Sequence, residues 1–287
     1  MANSNRETIG VNDCQVLAHY KYDGEQYILT LSSSEIAQTT IPGQFVHVTV
    51  SDVIAMRRPI SVMSVDEKNG TFDLLYKIVG EGTRQLADCK IGDTLSVIGP
   101  IGNGFRVTNK KNPLLIGGGV GMPPIIAIAQ QIKNNNDYNP FVILGSEIPF
   151  PFTPQNSEIS NSCPSKTYTM PILEDWNVAC GLASLQGFKG VYKGYVTDLA
   201  KEYLDTLSKE DLSQVEIYSC GPQPMLEAVA KLARGYNLAC QVSLEEYMPC
   251  AVGGCAGCVV EVQTDDGPAM KRVCVDGPVF DAHSVFL

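Results

Sequence analysis

Four of the chain's ten cysteines lie between Cys250 and Cys274, spaced Cys-x4-Cys-x2-Cys-x15-Cys. That density fixes the character of the C-terminal stretch, because thiols packed so closely call for something that holds them. Ala251, Val252, Gly253, Gly254, Ala256 and Gly257 separate the first three, and such small residues let backbone wrap closely and aim N–H groups at sulfur. The first three positions match the plant-type spacing for a 2Fe-2S cluster, in which four thiolates hold two irons. The gap to Cys274 is shorter than in a plant ferredoxin, which weakens the likeness to a ferredoxin domain but not to the cluster. A zinc site prefers two Cys-x2-Cys pairs or a Cys/His mixture, and this stretch offers one such pair. Zinc and unligated packing thiols remain the competing readings.

The rest of the chain changes periodicity once. From Cys14 to Phe105 it is a series of short β-like runs, CQVLAHYKY, EQYILTLSS, GQFVHVTV, RRPISVMSV, TFDLLYKIV and TLSVIGPIG, broken at DG, SSSE, PG, EKNG and GD. Phe45, His47 and Thr49 alternate with Val46, Val48 and Val50, as in strands with one buried face. A small antiparallel β-barrel is the expected closure, interrupted by one short helix at GTRQLADC. After Pro113 the runs PLLIGG, FVILGS and QVEIYSCG lack polar alternation, and helices are expected at IIAIAQQI and PQPMLEAVAKLARGY. Strands alternating with helices imply a parallel sheet covered on its faces. Between Glu147 and Gly194 the sequence reads as Pro-, Ser- and Asn-rich loop with one strand at KTYTM, and CQVSLEEYM reads as a final strand. The expected organisation is a β-barrel over 1–109, an α/β domain over 110–247 and a cluster-binding segment over 248–287.

At 287 residues the chain suits two domains and a small appendage. Its 21 basic against 31 acidic residues give a net charge of -10, with no footprint for nucleic acid or an anionic membrane. The start, MANSNRETIG, lacks the pattern of a secretory signal, and the apolar run Leu114 to Ala129 is too short and too rich in Gly and Pro to span a bilayer. The expectation is a cytoplasmic protein, where thiols stay reduced and a cysteine group points to metal or redox chemistry.

A 2Fe-2S cluster moves single electrons, so a flavin is the expected converter to two-electron chemistry. RRPISV (Arg57 to Val62) offers a guanidinium for a diphosphate and the Ser61 hydroxyl for a ring nitrogen. YKIVGEGT (Tyr76 to Thr83) places Gly80 and Gly82 before a helix start, where backbone N–H groups can receive phosphate. GGGVGMPP (Gly117 to Pro124) is a glycine-rich strand-to-helix junction without the Rossmann spacing, and SCGPQPM sets Cys220 at the end of a buried strand. Taken singly, each motif is equally explained by an edge strand, a capped turn or a packing cysteine.

In this order RPIS, GEGT, GGGVGMPP and CGP resemble the ferredoxin-NADP reductase superfamily. With CAVGGCAGCVVEV followed by VCVDGPVF, the chain resembles the electron-transfer subunits of B-type, NAD-linked dihydroorotate dehydrogenase over almost its whole length. The resemblance implies FAD on the barrel, with Arg58, Pro59, Ile60 and Ser61 along the isoalloxazine and phosphates. It places Tyr76, Lys77 and Ile78 along the ribityl or adenosine side, and Gly82 and Thr83 on the diphosphate. It implies NAD(H) over Gly117, Gly118, Gly119 and Gly121, with Cys220 and Gly221 near the nicotinamide, so that Ser61 and Cys220 are the catalytic candidates. It assigns Cys250, Cys255, Cys258 and Cys274 to the cluster. It also implies a partner FMN subunit that oxidises dihydroorotate, in a heterotetramer. A transhydrogenase, sulfide dehydrogenase or hydrogenase diaphorase subunit is the rival within the superfamily. A non-enzymatic redox sensor and a zinc-stapled flavoprotein are the rivals outside it.

Glu147, near the end of FVILGSE, suits a ribose hydroxyl and hence NAD. The three histidines, His19, His47 and His283, form no ligand set and read as structural, and Cys14, Cys89, Cys163, Cys180 and Cys240 read as packing residues. Trp176 receives no role.

Overall fold

The computed structural model describes residues 9–51, 53–159, 165 and 167–286. The chain clusters into two compact units, Met1–Phe105 with Ser243–Val279, and Arg106–Val242 with Phe280–Leu287. The cluster-binding stretch therefore belongs to the same unit as the N-terminal strands.

In the first unit six strands close into an antiparallel barrel: β1 (Gly10–Tyr22), β2 (Gln26–Ser32), β3 (Phe45–Val48), β4 (Arg58–Asp66), β5 (Thr71–Lys77) and β6 (Thr94–Ile101). The order β1-β2-β5-β4-β3-β6 leaves no exposed edge. Alternate residues such as Leu29, Leu31, Ile60, Val62, Phe72, Leu74 and Val97 fill the interior. Each buries enough apolar surface for about 1.5–3 kcal/mol. The break expected at SSSE is instead a short helix, α1 (Ser34–Thr39), started by Ser33, whose hydroxyl accepts the Ile36 N–H at 3.2 Å and sends Ile36 into the barrel core. The one short helix expected in the barrel, at GTRQLADC, is α2 (Glu81–Leu86).

The one-face expectation for β3 does not hold, because Phe45, Val46, His47 and Val48 are all buried. His47 is 2% exposed, and its Nε2 has no hydrogen-bond partner among the described residues. Burial first, then the positive charge of Arg57, pushes it down to about 4, so the ring is neutral at physiological pH. His19 joins the Tyr76 hydroxyl at 2.8 Å and the Cys89 carbonyl at 3.1 Å.

The second unit carries β7 (Asn112–Gly118), α3 (Met122–Ile132), β8 (Phe141–Gly145), α4 (Pro171–Asp175), β9 (Ala179–Ser184), β10 (Tyr192–Lys193), α5 (Val196–Thr206), α6 (Lys209–Ser213), β11 (Val215–Cys220), α7 (Gln223–Tyr236) and β12 (Cys240–Ser243). After β12 come the hairpin β13 (Val259–Thr264) and β14 (Gly267–Arg272), then β15 (Val279–Asp281) and α8 (Ala282–Val285). The sheet order is β10-β9-β8-β7-β11-β12-β15, with β10 to β9, β9 to β8, β8 to β7 and β7 to β11 paired in parallel. The cluster stretch is thus an excursion between two neighbouring strands of this sheet, and its base is closed by Leu244 N–H donating to the Pro278 carbonyl at 2.9 Å.

The poorly patterned region holds α4, β9 and β10. No strand forms over 167–170, where Thr169 makes only an isolated bridge to Gln155; Lys166 and Cys163 lie outside the described residues. The Glu174 carboxylate holds residues 157 and 158 by accepting the Glu158 N–H at 2.6 Å and the Ser157 hydroxyl at 2.9 Å. Trp176 lies under the Lys133 ammonium, 4.2 Å from the ring centroid. The strand expected over CQVSLEEYM stops at Ser243. Among the described residues no helix is long and apolar enough to cross a membrane.

Candidate functional site

The four tail cysteines arrive as two pairs. Antiparallel pairing of β13 with β14 sets Val259 opposite Arg272, and the Val273 N–H donates to the Cys258 carbonyl at 2.9 Å. That register brings the Cys258 and Cys274 sulfurs within 3.3 Å. The other pair sits on the loop before β13, where Cys250 accepts the Cys255 thiol and the backbone N–H groups of Val252, Cys255 and Gly254. Burial raises the Cys250 thiol, but these donors outweigh it and bring it down to about 7. Cys274 goes the other way, pushed up to about 12 by burial and then by its neighbour Cys258.

The loop is strained as well as small. Ala251 (φ 56°) and Ala256 (φ 52°) occupy the left-handed region alongside Gly253 (φ 83°), at a cost of about 1–2 kcal/mol for each alanine. The strain turns backbone N–H groups toward sulfur, as in the 3.4 Å bond from the Gly257 N–H to the Cys255 sulfur. Two thiol pairs fit a cluster that takes two thiolates on each of two irons.

On the barrel, β4 presents alternating faces. Ile60 and Val62 point into the core, so Pro59 and Ser61 lie on the outer face and Ile60 offers a ligand only its backbone. Tyr76 is likewise a core residue, its ring stacked on Tyr27 with centroids 5.4 Å apart, while Lys77 and Ile78 are half-buried. Arg57 and Arg58 do different work. Arg57 donates to the Ser96 carbonyl at 2.5 Å and hydroxyl at 2.9 Å, tying β4 to β6. Arg58 lays its guanidinium directly against Gly82, so closely that a Cβ there would collide with it. A cation laid against a helix start is chemistry that suits a diphosphate. Thr83 accepts the Val79 N–H at 2.9 Å and the Gly80 N–H at 3.3 Å with its hydroxyl, which in turn donates to the Gly80 carbonyl at 3.1 Å and so fixes the helix start.

In the α/β unit the chain runs from β7 outward through β8, β9 and β10, then returns to the other side of β7 with β11. The order therefore reverses between β7 and β11, and ligands of open α/β sheets bind at the carboxyl ends of such a pair. Both expected motifs meet there. The register pairs Cys220 with Gly117, and a Cβ on Gly121 would lie 2.5 Å from the Cys220 carbonyl oxygen. Gly118 and Gly221 press on Met225. Gly119 differs, with φ 54° and nothing among the described residues within 4 Å of where its Cβ would be. It is the glycine that leaves backbone open to a ligand. Glu147, two residues beyond β8, accepts the Gln186 amide at 3.2 Å.

Residues 17–105 match the oxidoreductase FAD-binding domain, and residues 245–286 match the iron-sulfur cluster binding domain of dihydroorotate dehydrogenase B. The dihydroorotate dehydrogenase B (NAD(+)) electron transfer subunit of Caldanaerobacter subterraneus subsp. tengcongensis is 34% identical over 272 residues, covering 94% of this chain and 96% of that protein. The subunit of the same description from Geobacillus thermodenitrificans is 33% identical over 287 residues, covering 98% and 99%. The chain belongs to the dihydroorotate dehydrogenase B electron transfer subunit family. Among solved structures, one described as an NADH-dependent reduced ferredoxin-NADP oxidoreductase matches with a TM-score of 0.77 and 26% identity, over 96% of this chain and 90% of that one. Phthalate dioxygenase reductase shares the fold, with a TM-score of 0.58 at 14% identity over 92% and 77% of the two chains.

As a member of the dihydroorotate dehydrogenase B electron transfer subunit family, this oxidoreductase combines an FAD-binding barrel and an iron-sulfur domain in one chain. Two contributors escaped the motif reading. Asn103, in the turn after β6, donates its amide to the Val275 and Asp276 carbonyls at 3.0 and 3.1 Å, anchoring the backbone just past Cys274 to the barrel. Met225 fills the space that Gly118 and Gly221 vacate. The Gly102-Asn103-Gly104 turn was the visible signal for the first; a methionine at a helix's first turn carries none.

Proposed function

We propose that the chain passes electrons between NAD(H), FAD and a 2Fe-2S cluster, to or from a partner FMN subunit that oxidises dihydroorotate to orotate in pyrimidine biosynthesis. The observation that carries this reading is the pairing of four thiols in the same unit as the FAD-binding barrel. When bound, the flavin supplies exchange between hydride and single-electron chemistry, and the cluster supplies one-electron carriage.

In this reading Arg58 and the N–H groups at Gly82 and Thr83 hold the FAD diphosphate. Pro59 and Ser61 line the isoalloxazine, with Ser61 donating to a ring nitrogen, and the backbone of Ile60, Tyr76, Lys77 and Ile78 meets the rest. The open backbone at Gly119 receives the NAD(H) diphosphate, while Gly117, Gly118 and Gly121 keep Cys220 and Gly221 seated beside it for the nicotinamide. Cys250, Cys255, Cys258 and Cys274 hold the cluster. None of these side chains needs to act as a strong acid or base. Their work is to bind and orient.

The solved structure described as a ferredoxin-NADP oxidoreductase favours a second reading, a subunit of a transhydrogenase-type complex. One experiment separates the two. Purified without oxygen from its own cells, the chain is expected to carry about two irons and two sulfides and to bring down an FMN protein that oxidises dihydroorotate. A larger iron-sulfur flavoprotein in its place would favour the second reading, and iron-free protein would sink both.

A further inference from the structure

The hairpin explains one thiol pair and leaves the other without an anchor. Cys258 and Cys274 are fixed by strand register, whereas Cys250 and Cys255 sit on a loop held in strained backbone conformations. Arg272 spans the gap. Its guanidinium Nη1 donates to the Gly253 carbonyl at 3.0 Å, in the middle of that loop. Its backbone N–H donates to the Asp276 carboxylate at 2.8 Å, and its Nε lies 3.8 Å from the same oxygen. Its carbonyl accepts the N–H groups of Val275 and Asp276 at 3.0 and 2.7 Å, folding the turn that follows Cys274.

We propose that Arg272 is the positioning residue that fixes the Cys250/Cys255 pair against the Cys258/Cys274 pair, and that its cation raises the reduction potential of the cluster they hold. The inference rests on the cluster reading above. A thiolate-ligated cluster becomes more negative on one-electron reduction, so a guanidinium beside the ligand loop favours the reduced form and the Asp276 carboxylate opposes it. Arginine suits both tasks, since its planar fork reaches two partners while staying charged.

The full chain with FAD bound is purified without oxygen as wild type, Arg272→Gln, Arg272→Lys and Asp276→Asn. Each is reduced with dithionite and titrated potentiometrically by spin resonance, with flavin absorbance per chain confirming an intact barrel. Arg272→Gln is expected to lose iron to a chelator about ten-fold faster, as outer ligand-orienting partners do when removed. It also alters the line shape and titrates at lower potential. Arg272→Lys restores the potential and not the resistance to chelation. Asp276→Asn moves the potential up, a sign opposite to Arg272→Gln that general loosening of the fold does not produce. An Arg272→Gln protein with wild-type potential and chelation rate overturns the proposal. If that variant loads no cluster, Asp276→Asn decides, and an unshifted midpoint there overturns it. Wild-type protein without iron would defeat the cluster reading itself.

Discussion

The two compact units build their ligand surfaces from different material. In the barrel unit the determinants are side chains: the Arg58 guanidinium laid on Gly82, and thiols paired at 3.3 Å or held by backbone donors. In the α/β unit the determinants are missing side chains. Gly121 meets the Cys220 carbonyl backbone to backbone, Gly118 and Gly221 admit Met225, and Gly119 stays open. Side-chain sites lose a function when truncated and keep their fold. Backbone sites that meet other backbone lose stability when a side chain is added. The units should therefore respond to opposite kinds of substitution.

The largest expected effect belongs to Gly121→Ala. The new Cβ would stand 2.5 Å from the Cys220 oxygen and 2.6 Å from Gly221 Cα, both backbone atoms that cannot swing aside. Overpacking of this kind costs about 3 kcal/mol. Chemical denaturation followed by a signal from the α/β unit should show that loss, with FAD content per chain unchanged. A Gly121→Ala protein of wild-type stability would remove the contrast between the units.

His47 gives the next effect, through pH. Its folded pKa of about 4 lies below the ordinary 6.5, mainly because burial disfavours the charged ring. The unfolded chain therefore binds the proton more readily than the folded one. The stability tied to the neutral ring is fully present above 6.5 and is lost as pH falls from 6.5 toward 4. At about 1.4 kcal/mol per pH unit the loss approaches 3 kcal/mol. Unfolding free energy measured from pH 7 to pH 4 should fall less steeply in His47→Asn than in wild type, and parallel slopes would refute the assignment.

What the residues announced in advance follows the same division. Period-two alternation broken by DG, EKNG and GD is local, so the six barrel strands were readable one by one. The Cys-x4-Cys-x2-Cys spacing is also local, and so the iron-sulfur character of the segment matched over residues 245–286 was readable. The reversal of strand order between β7 and β11 depends on which strands neighbour each other, and so does the close approach of Gly121 to Cys220. No single stretch of sequence encodes either. Between Glu147 and Gly194 the signal failed for a different reason. β9 is buried along all but its first residue, and the small residues of ACGLAS carry no β-branched signature, while Ser157 and Glu158 before it are held by the distant Glu174 carboxylate rather than by local composition. His47 misled because its polarity suggested an outward face on a strand whose two faces are both covered.

The neighbouring arginines provide a smaller effect with an internal control. Arg58→Ala removes the cation lying on Gly82, and a charge-assisted contact of about 1.5–3 kcal/mol corresponds to FAD binding weakened about 10- to 100-fold. Arg58 also donates to the Met56 carbonyl at 2.6 Å, so folding stability should fall by about 1 kcal/mol, less than the effect on FAD. Arg57→Ala removes the bonds to the Ser96 carbonyl and hydroxyl, so it should cost about 2 kcal/mol of stability instead. FAD titration of the apoprotein and thermal unfolding, run on both variants, should give opposite patterns. The same pattern in both would mean that Arg58 is another strut.

Gly119→Ala is expected to have a far smaller effect on the fold than Gly121→Ala and is the most informative within its unit. Nothing among the described residues would touch the added methyl, and the penalty comes only from placing alanine at φ 54°, about 1 kcal/mol. In the proposed site, the methyl would occupy the space through which the NAD(H) diphosphate is to reach the backbone at the β7–β11 switch point. NADH affinity should therefore fall about ten-fold, a further 1.4 kcal/mol, while FAD content and the spin-resonance signal of the cluster stay as in wild type. Paired with Gly121→Ala, it splits the glycine turn into a residue that seats the chain and a residue that seats the ligand. If Gly119→Ala binds NADH normally while Gly121→Ala unfolds the unit, the turn is a packing device alone, and the nucleotide must be held elsewhere.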